Sequence, residues 1–124
     1  MKRGPRFYYR EPLASLVGRW EAHMLAERHY WTTPGMYSRS LERFFSKFPK
    51  KSAPEQIHLA DTEDWRVWRA EEGAAYSTIR KELGAVRAFY SWLINEVGGK
   101  YADMPNPVII PVWPEPRGPQ DGNL

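Results

Sequence analysis

Residues 76–92 read Tyr76-Ser77-Thr78-Ile79-Arg80-Lys81-Glu82-Leu83-Gly84-Ala85-Val86-Arg87-Ala88-Phe89-Tyr90-Ser91-Trp92. Within and just beyond this stretch, Ile79, Leu83, Val86, Tyr90, Leu93 and Val97 step by four, three, four, three and four residues. Positions so spaced lie above one another on a helix, so the steps draw one apolar stripe, which Phe89 and Trp92 widen. Ser77 is a suitable N-cap and Gly98-Gly99 a stop, so the spacing predicts a helix over 77–97. The opposite side carries Ser77, Arg80, Lys81, Gly84, Arg87 and Ser91. A mid-helix glycine costs about 0.5–1 kcal/mol relative to alanine. Gly84 is therefore expected where another backbone passes closely, with a neighbouring helix preferred to a nucleic-acid strand.

Three more helices precede this one. Leu13, Leu16, Val17, Trp20 and Met24 give an apolar face to a first helix over 13–30, entered after Pro12 and ended at Thr32-Thr33-Pro34. A second starts there, with Thr33 as N-cap and Pro34 in the first turn, and runs to Pro49. Its buried side is Tyr37, Leu41, Phe44 and Phe48, and its outward side carries a cationic stripe of Arg39, Arg43 and Lys47. Lys50-Lys51-Ser52-Ala53-Pro54 follows as a basic loop. A third, acidic helix is expected over 62–72, capped by Asp61 or Thr62, with Trp65 and Trp68 in the core and Gly73 closing it. The fold class is thus all-α, a small orthogonal bundle of four main helices. Phe44, Phe48, Val86 and Tyr90 are expected to be buried.

The division read from composition is a basic arm over 1–11, a helical domain over 12–100 and an extended tail over 101–124. Six of the 11 prolines stand between Pro105 and Pro119, a density no packed helix tolerates, so the tail reads as a linker to a further domain. The 124 residues suit one domain, and 18 aromatics among them supply a core that argues against disorder. No cysteine is present, which excludes disulfides, thiolate metal sites and a Cys nucleophile. No apolar run has the roughly 20 residues of a membrane span, and the start lacks the apolar segment of a signal peptide, so a cytoplasmic protein without membrane association is expected.

The net charge of +3 conceals an asymmetry: residues 1–51 hold 11 Lys/Arg against 4 Glu, and residues 52–124 hold 7 against 11 Asp/Glu. A bipolar chain of this kind directs one surface toward an anion. Catalytic chemistry is scarce. His23, His29 and His58 show no metal-ligand spacing, no glycine-rich loop opens a helix, and no serine lies in a nucleophile elbow. No cofactor, metal or catalytic residue is expected. The basic stripes on the second and fourth helices suit nucleic acid better, since arginine matches phosphate oxygens and guanine edges and a helix fits the major groove.

A resemblance extends this reading. Tyr37, Leu41, Phe44-Phe45 and Phe48, then Tyr76-Ser77-Thr78-Ile79-Arg80 through Phe89-Tyr90-Ser91-Trp92, then Asn106-Pro107-Val108, resemble in order and spacing the N-terminal core-binding (SAM-like) domain of phage integrases and other tyrosine recombinases. The similarity covers about residues 13–109. It implies a SAM-like helical bundle forming half of a clamp around double-stranded DNA in site-specific recombination or integration. It also implies recombinase protomers as possible partners, and a C-terminal catalytic domain in the parent protein. That domain would bring a tyrosine nucleophile, arginines and a His-x-x-Arg motif. None of the three histidines here is followed by arginine three residues on, so this chain is expected to be non-catalytic. By position, the DNA-facing helices match the second and fourth. That points to Arg39, Arg43, Lys47, Arg80, Lys81 and Arg87 as DNA-binding residues, with Lys50 and Lys51 on a flanking loop, and the helix N-terminus at Ser77 and Thr78 adds backbone donors for phosphate.

The rival reading is a helical protein–protein module without DNA binding. Trp20, Trp31, Trp65 and Trp68 discriminate: buried tryptophans favour DNA, and two or more exposed together favour a protein partner.

Overall fold

The apolar stripe of residues 79–93 becomes the central helix of the molecule. The computed structural model describes residues 9–27 and 32–109, the side chains of 32–35 excepted. Among these it shows four α-helices and no strand: α1 (Leu13–Ala26), α2 (Thr32–Ser46), α3 (Leu59–Glu71) and α4 (Tyr76–Trp92). Helix α4 packs against all three others, most extensively against α2. Ile79, Leu83, Val86, Phe89, Tyr90 and Leu93 are buried against Leu16, Val17 and Trp20 of α1, Leu41, Phe44 and Phe45 of α2, and Trp65 of α3.

The interior is largely aromatic. Phe44 lies 5.2 Å from Phe45 and 5.5 Å from Trp65 between ring centroids, and Phe89 lies 5.4 Å from Trp20. Edge-to-face pairs such as Phe44–Phe45 set the partial positive ring edge against the negative face, which adds to their area burial. The expected burial holds for Phe44, Val86 and Tyr90, but Phe48 is only half-buried. Phe48 falls beyond the end of α2, which stops at Ser46, before the residue expected from Pro49. The N–H groups of Lys47 and Phe48 turn back to the carbonyls of Phe44 and Phe45 at 3.2 and 2.9 Å. This tighter last turn arises because the position before a proline is driven out of helical geometry.

Helix ends differ from the sequence reading in several places. Ser77 is not the cap of α4: the cap position is Ala75, extended at φ −70° and ψ 153°, and Ser77 lies inside the first turn. Gly73 at φ 95° closes α3, the Ala74 N–H turning back to the Arg69 carbonyl at 3.3 Å, and α4 then opens with the Ile79 N–H bonded to the Ala75 carbonyl at 3.0 Å. Neither Asp61 nor Thr62 caps α3, which begins at Leu59 after an extended His58. Asp61 instead reaches back from the first turn, its Oδ2 accepting the His58 N–H at 2.9 Å. Helix α2 begins at Thr32, so Thr33 stands within it. Helix α1 ends at Ala26, where the Glu27 N–H bonds the His23 carbonyl at 3.0 Å; the rest of the helix expected to 30 falls outside the described residues.

At its far end α4 widens into a π-helical turn over Leu93–Val97, closed by Gly98 at φ 65°. The core does not stop at residue 100. Tyr101 and Val108 are buried in it, and Asn106 fixes the return path: its Nδ2 donates to the Arg87 carbonyl at 3.2 Å and the Ser91 hydroxyl at 3.3 Å. The Asn-Pro-Val segment thus docks on the C-terminal half of α4. Of the diagnostic tryptophans, Trp20 and Trp65 are buried and Trp68 is half-buried, while Trp31 lies outside the described residues.

Candidate nucleic-acid interface

Amphipathic spacing that buries one side of α2 and α4 must turn the other side to water, and both outer faces are basic. On α4, Ser77, Thr78, Arg80, Lys81 and Arg87 are all exposed. Among the described residues no carboxylate pairs with Arg80, Lys81 or Arg87. Their charge is therefore available to an external anion.

The stripe on α2 is differently disposed. Arg39 is exposed and, among the described residues, has no ion-pair partner. Arg43, though 46% exposed, extends its Nη1 to Glu82 Oε2 at 2.5 Å. Lys47 places its ammonium 4.7 Å from the centroid of the Trp68 ring, a cation–π contact. In the following loop Lys50 is exposed, but Lys51 donates to the Gln56 carbonyl and to Asp61 Oδ2, both at 2.9 Å. That loop is itself anchored, because the Tyr90 hydroxyl donates to the Pro54 carbonyl at 2.7 Å. Burial pushes the Tyr90 hydroxyl well above its ordinary pKa, and the carboxylates of Glu55 and Asp61 add to the shift, so it remains a proton donor.

Glu82 escaped the sequence reading. Its side chain is 6% exposed and it joins three helices: Arg69 of α3 holds both its oxygens, and Arg43 of α2 holds one of them. The hydrogen bonds that Arg69 donates to Glu82 raise its guanidinium pKa, outweighing the opposing effect of burial. The signal was available, since Glu82 lies three residues after Ile79 and four before Val86, on the buried stripe. A carboxylate there requires a cation from a neighbouring helix.

Gly84 departs from expectation in the opposite sense. Among the described residues a Cβ built on it meets nothing within 4 Å, so no neighbouring backbone crowds it there. Instead it borders a groove of about 280 Å³ between α2 and α4, lined by Met36, Tyr37, Ser40, Lys81, Gly84 and Ala85. Helix α3 presents Asp64 and Glu71 as exposed carboxylates, and Glu72 at its C-cap adds a third. Among the described residues no group of three or more His, Cys, Asp or Glu could hold a metal ion, and no helix is long and apolar enough to cross a membrane.

Compared with known families, residues 17–97 match the model of the phage integrase N-terminal SAM-like domain. No curated protein and no solved structure matches the chain.

Proposed function

Because the chain belongs to the phage integrase N-terminal SAM-like domain family, we propose that its α2–α4 face binds double-stranded DNA as the core-binding half of a tyrosine-recombinase clamp. The parent protein would act in the cytoplasm in site-specific recombination or integration. Bond breakage and rejoining would come from a C-terminal catalytic domain, and neighbouring protomers would assemble on the same DNA.

The observation that carries this reading is the open cationic face of α4, where Arg80, Lys81 and Arg87 have no carboxylate partner among the described residues and Arg39 stands exposed on the adjoining helix. Arginine and lysine so placed replace counterions condensed on a duplex, so binding is expected to weaken steeply with salt. Ser77 and Thr78 in the first turn of α4 add hydroxyl and backbone donors suited to phosphate. Lys47, Lys50 and Lys51 border the face, and Lys51 contributes mainly by holding the loop.

The test is equilibrium binding of the chain to labelled duplexes at two or more salt concentrations. Each phosphate contact contributes about −0.9 to the slope of log K against log salt, so R80A and R87A should each flatten it by roughly one unit. Replacing Glu71 and Glu72 with glutamine should leave the slope unchanged. Salt-independent binding, or an equal effect from the acidic helix, would overturn the assignment of this face.

A further inference from the structure

Gly84 occupies the middle of the basic face of α4. Arg80 lies one turn before it, Lys81 three residues before and Arg87 three residues after, so these three cations surround it on the helix surface. Its backbone is ordinary helix, so no positive φ requires glycine there. Among the described residues no neighbouring atom requires it either, because nothing lies within 4 Å of the place a Cβ would occupy, and Gly84 borders the groove beside Met36, Tyr37 and Ser40. A residue unfavourable to the helix and unused by the packing leaves a half-buried stretch of bare backbone amid three exposed cations.

We propose that Gly84 is the point of closest approach between α4 and DNA, where a strand's sugar–phosphate backbone enters the α2–α4 groove against the bare helix backbone. The occupant follows from charge: Lys81 lines the groove, the exposed Arg80 and Arg87 flank Gly84 on the same helix, and a duplex strand carries phosphates at a spacing that can engage them together. Without a Cβ the helix can lie flush against the strand, which brings Arg80, Lys81 and Arg87 within hydrogen-bonding reach of adjacent phosphates. A larger side chain would hold the helix off, lengthening all three contacts at once.

This inference rests on the DNA-binding reading, and the experiment separates the two. Wild type, G84A and G84Q are compared for thermal unfolding and for binding to a specific and a random duplex at fixed salt. Alanine and glutamine are better helix formers than glycine, so both variants should melt at or above the wild-type temperature. G84Q should nevertheless bind both duplexes roughly tenfold or more weakly, the loss expected from a charge-assisted phosphate hydrogen bond, with G84A between it and wild type. A G84Q protein that is stable and binds both duplexes like wild type overturns the close approach while leaving DNA binding intact. A weakening confined to the specific duplex overturns the strand-backbone contact in favour of a base contact. Failure of wild type to bind either duplex overturns the DNA reading and this inference with it.

Discussion

The Arg69 guanidinium spans both oxygens of Glu82, with Nε to Oε1 at 2.9 Å and Nη2 to Oε2 at 3.0 Å. Arg69 is 16% exposed at its side chain and Glu82 6%. A two-pronged pair so sheltered from water keeps most of its Coulombic attraction, and removing either partner strands a charge in the interior. Glu82→Ala is expected to lower unfolding stability by about 3–5 kcal/mol, the range for breaking a buried pair from one side. Arg43 reaches the same carboxylate but is nearly half exposed, so Arg43→Ala should cost no more than about 1 kcal/mol. Urea unfolding checks the order; equal losses for the two variants would contradict the division of roles.

Asp61 supplies a pH dependence. Burial opposes its charged form, but hydrogen bonds from Lys51 and the His58 N–H outweigh that cost and hold its carboxyl below the ordinary value of 3.8. A carboxyl with a lowered folded-state pKa stabilises the fold fully above its unfolded pKa, and the stabilisation is lost as pH falls through the folded value. Wild type should therefore lose stability on acidification below about pH 4 more steeply than Asp61→Asn. Urea midpoints at neutral and acid pH decide it, and parallel pH profiles for the two proteins would remove the role assigned to Asp61.

The aromatic core yields a contrast between two neighbouring phenylalanines, one on α2 and one just past its end. Phe44 is fully buried, 5.3 Å from Phe48 and 5.5 Å from Trp65, whereas Phe48 is half-buried beyond the helix end. Phe44→Ala should cost about 3–5 kcal/mol, because it leaves a cavity that the surrounding rings fill only in part. Phe48→Ala should cost less than half as much. Comparable midpoint shifts in denaturant would show that Phe48 is more deeply enclosed than its position indicates.

Periodicity made the helices and most of the core legible because burial repeats every three to four residues, as Ile79, Leu83, Val86 and Tyr90 show. Ends were less legible because several local solutions satisfy the same free N–H groups. Asp61 could cap from the first position or reach back from inside the first turn, and only the path through His58 separates the two. Within the basic stripes, sequence placed Arg39, Arg43 and Lys47 together, yet their partners come from elsewhere in the chain: Glu82 of α4 for Arg43, Trp68 of α3 for Lys47. Distances across the bundle, which the stripe alone does not encode, distinguish a cation held internally from an open one.

On the proposed DNA-binding reading, that distinction bears on the part assigned to Arg43. One of its terminal nitrogens is held by Glu82, a carboxylate that Arg69 already engages through both oxygens. Glu82 is thus placed to fix the direction of a half-exposed guanidinium, while Arg39, with no such partner among the described residues, remains free to rotate. Glu82→Gln separates orientation from bulk electrostatics because the two predict opposite signs. The substitution raises the net charge by one from +3, so a purely electrostatic surface would bind duplex DNA more tightly. If Arg43 must be held in direction to meet phosphate, binding weakens despite the added positive charge, and that is the expected result. Arg39→Ala is the comparison: it should flatten the salt slope by about 0.9 and leave stability within about 0.5 kcal/mol of wild type. The measurement is affinity for one duplex across salt concentrations, at a temperature where circular dichroism shows each variant folded. Tighter binding by Glu82→Gln would mean that Glu82 only opposes the charge of the face, and that Arg43 needs no positioning.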